Sequence, residues 1–250
     1  TEWDGSGTED APYLITSAGE LAGLSEKVNG GESYWDTFFK LTTDIRLNDG
    51  GGKFDYYLTG KNVWTPIGGD SVFRGVFDGD GHTVSGVYIN NRENCQGLFG
   101  RSNGTIKNLR MTDSYVSGSG EYSYVGGVVG NGSAVTNCSN AGTVSGSGEY
   151  SHVGGVVGCG TTVTNCSNAG TVSGSGEYSY VGGVVGYGTT VTNCRNTGTV
   201  RDSGADGNVG GVVGGGNEVT DCYNTGTISG SGADGFVGGV AGRGSATDCY

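Results

Sequence analysis

The chain has 250 residues, 55 of them Gly, with 25 acidic against 13 basic side chains and a formal net charge of −12. Phosphate binding needs clustered Lys and Arg, and only Arg195, Arg201 and Arg243 are basic after Met111, so no nucleic-acid partner is expected. There is neither a signal peptide nor an apolar run of membrane-spanning length, so no membrane insertion by this segment is expected.

The first residues, TEWDGSGTEDAPYLI, read as folded sequence, with a turn and a first strand from Trp3 to Ile15. The segment thus resembles a piece of a longer chain, with any export signal or anchor outside it and Tyr250 a cut. A helix follows: Ser17 or Thr16 caps it, Glu20 stands where a capping box needs it, and Leu21, Leu24 and Val28 share one face until Asn29-Gly30-Gly31. Placed at the end of a strand stack, it would cover the open edge. Strand character returns from Tyr34 to Leu47, with Phe39, Leu41, Ile45 and Leu47 around Thr42, Thr43 and Asp44, and a Gly- and Asp-rich loop over Asn48–Asp55 leads to TPIG at Thr65. Residues 73–89 make the first coil that resembles the later ones, and QGLFG at Gln96 followed by TIKNLRM at Thr105 foreshadows the repeat, with Leu109 where later copies have Cys.

From Val125 the sequence VGGVVG returns at Val153, Val181 and Val209, and as VGGVAG at Val237, each time 28 residues on. A fixed period of this size marks stacked units that cannot bury an apolar face alone. The units are rich in Val, Thr, Ile, Tyr and Gly and poor in helix formers, so they are strands. Three runs fit each period, VGGVVG, VTNCSN and GTVSGS, with Val135 and Cys138 on one face and Thr136 and Asn137 on the other. In-register stacking at roughly 4.8 Å gives a parallel β-solenoid with three faces. Asn140, Asn168, Asn196 and Asn224 form one column before a bend, where their amides can satisfy one another and where Asn tolerates positive φ. The expected organisation is one domain of about eight coils over 1–250, with 1–72 as cap and irregular first coils, 73–124 as irregular coils and 125–250 as regular repeats.

Five of the seven cysteines keep the period: Cys138, Cys166, Cys194, Cys222 and, one residue early, Cys249. Their side chains run parallel where a disulfide needs convergence, so they are expected as buried free thiols filling a narrow core. Zinc spacings are absent. Cys159 stands where other units have Asn131, Tyr187 and Gly215, which suggests a variable exposed loop, and Cys95 finds no place in the pattern.

The segments WDGSGTEDAPYLI, LTTDIRL, WTPIG, FDGDGHTVSG and GLFG, followed by VGGVVG…VTNC…GTV, resemble the GLUG-motif repeat proteins of bacterial cell surfaces. The resemblance implies a right-handed parallel β-helix, export, and membership among adhesin-like surface proteins, some of which carry peptidase modules elsewhere. The chain departs from the motif in using Val-Val where Leu is frequent, which keeps an apolar strand.

Three features are candidates for function. Asp78-Gly79-Asp80-Gly81-His82 is the densest acidic spot; it reads as a tight turn, with Asp78 and Asp80 the only candidate metal ligands and Ca²⁺ the only candidate cofactor. Tyr122 and Tyr124, Tyr150 and His152, and Tyr178 and Tyr180 recur on the parity opposite to Val125, Val153 and Val181, so inward Val makes them an exposed ladder for a glycan, or else a stack that only shields the coil edge. Glu121, Glu149 and Glu177 stand beside them. Thr143, Thr171, Thr199 and Thr227 form a row, and Thr162, Thr164, Thr190 and Thr192 a partial double row interrupted by Ala134 and Glu218, which counts against ice binding. No nucleophile elbow or metalloprotease helix occurs. The expectation is a non-enzymatic, monomeric adhesion or stalk module, surface-bound or secreted, meeting glycans or proteins of a host or neighbouring cell. A polysaccharide-processing β-helix of the pectate-lyase type is the alternative.

Overall fold

A computed structural model describes residues 3–48 and 62–250; most of the loop expected over 48–55 lies outside them. The described residues form a parallel β-solenoid of about eight coils with a single helix, Ala18–Asn29. Ser17 caps that helix by accepting from the Glu20 N–H at 3.3 Å, while Glu20 reaches back to the Thr16 N–H at 2.6 Å and hydroxyl at 2.8 Å. Leu21, Leu24 and Val28 are buried in the core that Ile15 and Phe39 begin. The stretch expected as one strand from Tyr34 to Leu47 is two, Phe38–Leu41 and Ile45–Arg46, separated by a corner.

Each regular coil has four strands rather than three. One coil reads Val157–Thr164, Ser167–Asn168, Thr171–Gly174 and Tyr180–Gly182, after which Val185–Thr192 begins the next. The strands stack into four parallel sheets of nine, six, six and seven members. The fourth face was concealed because VGGVVG looks like one strand, whereas its first Val-Gly ends one strand, its last Val-Gly begins another, and the middle is a bend. A Cβ on Gly155 would sit 2.6 Å from the Asn168 side chain and closer still to the Gly183 carbonyl, so the corner admits only glycine.

A second corner lies at Asn137. Asn108, Asn137, Asn165, Asn193, Asp221 and Asp248 hold φ between 52° and 55° in the left-handed region, short polar side chains being tolerated there. This bend, and not strand alternation, puts both Val135 and Cys138 inside although they are three residues apart. The positive φ expected of the Asn140 column therefore belongs to the neighbouring Asn column. Asn140, Asn168, Asn196 and Asn224 do stack their amides, at 3.0, 2.9 and 2.8 Å, and Asn140, Asn168 and Asn196 are buried.

The core changes along the axis from aromatic to aliphatic. Phe39, Phe73, Phe77 and Phe99 pack ring on ring in the early coils, and columns of Val and Cys replace them later. Cys249 comes one residue early because Gly216 pairs with Gly244 and Glu218 with Ser245, leaving Asn217 without a counterpart.

Candidate functional site

The aromatic residues expected as one exposed face divide into two ladders. The outer one is Tyr122, Tyr150 and Tyr178, in the turns that follow the strands Tyr115–Gly118, Thr143–Gly146 and Thr171–Gly174. These rings are 55%, 37% and 40% exposed. Their centroids are 5.0 and 5.2 Å apart with planes 7° and 13° from parallel, so they lean on one another at the rise of the coils. The stacking set against recognition in the sequence is thus present, and exposed ring surface remains. Each hydroxyl is perturbed by the carboxylate of the residue before it. The charge of Glu121 raises the Tyr122 pKa, the hydrogen bond to Glu149 raises that of Tyr150 to about 12, and the bond to Glu177 raises that of Tyr178.

The inner ladder, Tyr124, His152 and Tyr180, is half-buried. Gly158 lets two strands approach so closely that a Cβ there would lie 2.8 Å from the Tyr124 backbone, and the outward side chains of both strands converge. His152 packs edge-on between Tyr124 and Tyr180, with centroids at 5.2 Å, and against Tyr187 at 5.5 Å. Its Nδ1 is buried without a hydrogen-bond partner, and burial lowers its pKa to about 4. Nothing in the sequence singles out Tyr187, because the variation in its column resembles that of a loop. That column, Asn131, Cys159, Tyr187 and Gly215, lies on strands, so Cys159 is half-buried in a sheet rather than on an exposed loop, and burial pushes its thiol pKa up. Cys95 heads the Tyr124 column, buried, with Arg101 Nε 3.4 Å from its sulfur.

Among the periodic cysteines, Cys138, Cys166, Cys194 and Cys222 are no more than 1% exposed, Cys249 is half-buried, and all are free thiols. Cys166, Cys194, Cys222 and Cys249 are linked in turn by N–H to sulfur contacts, each at 3.4 Å, and burial first of all holds the Cys166 thiol well above its ordinary pKa.

Asp78 and Asp80 form a turn locked by lysines. Asp78 Oδ1 accepts from the Asp80 N–H and the Asn108 amide, both at 2.9 Å, and Oδ2 pairs with Lys107 at 3.4 Å; Asp80 pairs with Lys40 at 3.0 Å. Burial raises the Asp78 pKa, and its hydrogen bonds with Asn108 and the Asp80 N–H, with Lys107, more than offset this. Ca²⁺ takes about six to eight oxygens. Here each of the two carboxylates is engaged by an ammonium. His82 lies 3.3 Å from Asp44. Among the Thr rows, Thr136, Thr164, Thr192 and Thr220 run unbroken, while the column beside them reads Ala134, Thr162, Thr190 and Glu218.

The model of the GLUG motif matches residues 177–201, from Glu177 of the outer ladder through the Gly corner and the strand Val185–Thr192. The chain carries the GLUG motif. Over 135 residues it is 35% identical to a protein of Evansella cellulosilytica provisionally named a Gly-rich membrane protein, covering 52% of this chain and 14% of that one. Over 150 residues it is 32% identical to halomucin of Haloquadratum walsbyi, covering 56% of this chain and 2% of that one. The chain therefore spans a small part of the curated relatives it matches. A crystal structure provisionally assigned as an immunoglobulin A1 protease of Bacteroides ovatus superposes with a TM-score of 0.78 at 22% identity, over 98% of this chain and 76% of the other. That likeness concerns the fold alone.

Proposed function

We propose that this GLUG chain is a non-enzymatic, surface-displayed module that acts in adhesion by holding glycans on the outer Tyr ladder. The carrying observation is the exposed stack of Tyr122, Tyr150 and Tyr178, each preceded by a glutamate. Glutamate oxygens accept from sugar hydroxyls, and the open ring surface lies against sugar C–H groups. Coil-to-coil backbone bonds on either side, such as Tyr150 N–H to the Glu121 carbonyl at 2.8 Å, hold the stack rigid, so little ordering cost falls on binding. The next two coils replace the motif with Ala205-Asp206-Gly207 and Ala233-Asp234-Gly235, which confines the ladder to three coils. A surface or secreted setting is supported by relatives named as a membrane protein and a halomucin.

The test is to screen the purified protein against an array of host and microbial glycans and matrix proteins, with reducing-sugar release followed in parallel. Saturable glycan binding without sugar release supports the proposal. No binding to any glycan or protein makes the chain a stalk, and sugar release makes it an enzyme.

A further inference from the structure

We propose that a different face of the solenoid binds an acidic glycan, in a groove bounded by Arg110 and Arg195. On the outside of the sheet that follows the Asn corner, register aligns Arg110, Ser139, Ser167 and Arg195 in four successive coils. Three steps of strand spacing set the arginines about 14 Å apart. The two short serines between them leave an open groove of about 430 Å³.

One rim of the groove is the left-handed Asn column, whose amide ladder is broken at this point. Asn137 donates to Asn108 at 3.0 Å and Asn193 to Asn165 at 2.6 Å, but no bond joins Asn137 to Asn165. An amide oxygen and an amide NH₂ are thus left over at mid-groove, one coil apart. Arg195 has no side-chain hydrogen bond or ion pair among the described residues. Arg110 has a charge neighbour in Asp44, whose carboxylate is already held by the Thr83 N–H and by His82. Asp80 also lines the groove, with its own carboxylate on Lys40. Beyond Arg195 the same column continues with Tyr223, stacked at 5.6 Å on Tyr250.

Two forked cations at the ends of a polar trough fit a chain of sparse anions and many hydroxyls. Arginine takes a carboxylate or sulfate through paired N–H bonds, and the serines and amides between match sugar hydroxyls. Nucleic acid is a poor match, since each strand carries a phosphate about every 3.4 Å. Two isolated arginines would leave most of those charges facing a protein of net charge −12. A polysaccharide with acid groups spaced along it matches the separation.

The experiment is calorimetric titration with short oligogalacturonate, dextran sulfate, uncharged dextran and single-stranded DNA. Wild type is expected to bind one or both acidic glycans, more weakly as salt rises, and to bind dextran and DNA less. Arg110→Gln combined with Arg195→Gln should weaken that binding about tenfold or more at an unchanged melting temperature, both side chains being exposed. The variant lacking Tyr122, Tyr150 and Tyr178 should bind the acidic glycan as wild type does, which separates this groove from the Tyr ladder. The inference is overturned if neither acidic glycan binds, if dextran or DNA binds as tightly, if the arginine variant is unchanged, or if the Tyr variant loses the acidic ligand.

Discussion

Replacing Asn168 by Ala should be among the most damaging single changes in the regular coils. The side chain is 1% exposed and makes four hydrogen bonds: to the Gly170 carbonyl at 3.2 Å, to Asn196 Oδ1 at 2.9 Å, from the Gly170 N–H at 3.2 Å and from Asn140 Nδ2 at 3.0 Å. At about 1 kcal/mol net for each bond the loss is about 4 kcal/mol, and the buried groups left without partners bring it to roughly 4–6 kcal/mol. Asn165, three residues earlier, is the control. It sits at φ 55° on the solvent side, where Gly is conformationally better suited, so Asn165→Gly should stay within about 1 kcal/mol of wild type. Urea unfolding followed by far-UV circular dichroism measures both. If Asn168→Ala cost less than about 1 kcal/mol, or Asn165→Gly cost as much as Asn168→Ala, the division between a buried amide ladder and a left-handed corner would be wrong.

The neutral His152 gives a pH signature. Its folded pKa of about 4 lies below the ordinary 6.5, so the unfolded chain takes up the proton first. Folding stability should therefore fall, by up to about 3 kcal/mol, as pH drops from about 6.5 to about 4. His152→Tyr, the residue of the coils on either side, should remove that part of the loss, and equal acid sensitivity of both proteins would count against it. Native-state maleimide should modify Cys249 first and Cys159 slowly, reaching Cys138, Cys166, Cys194 and Cys222 only after denaturation; rapid labelling of Cys166, or disulfides among these four, would contradict the buried column. Val156 is fully buried, so Val156→Asp places an unpaired carboxylate between coils and should cost more than about 3 kcal/mol, whereas an unchanged melting temperature would put Val156 in water.

The period was legible in the sequence because each residue type in a stacked coil lies above its own copy, so Val153 pairs with Val181 and Asn168 with Asn196. The helix was legible from Ser17 and Glu20 for the same reason that it forms, since both side chains satisfy backbone donors at its start. Corners were harder to read. Gly127-Val128 and Asn137 turn the chain within what looks like continuous strand, and only the backbone angle at Asn137 explains how Val135 and Cys138 both face inward. The split of the aromatic set was not legible either. Parity puts Tyr122 and Tyr124 on one side of a strand, but only the close approach at Gly158 decides that Tyr124 is half-buried while Tyr122 is exposed. Cys159 was misplaced because variation within a column looks the same on an outward strand position as on a loop.

The most direct test of the account is the combined variant Tyr122→Ala, Tyr150→Ala and Tyr178→Ala, compared with wild type for glycan binding by titration and for melting temperature. These rings are exposed and their backbone bonds do not depend on them, so the account predicts at least about a tenfold loss of affinity for the glycan found on the array, with melting unchanged. Undiminished binding with a lowered melting temperature would show that the ladder serves only the stack.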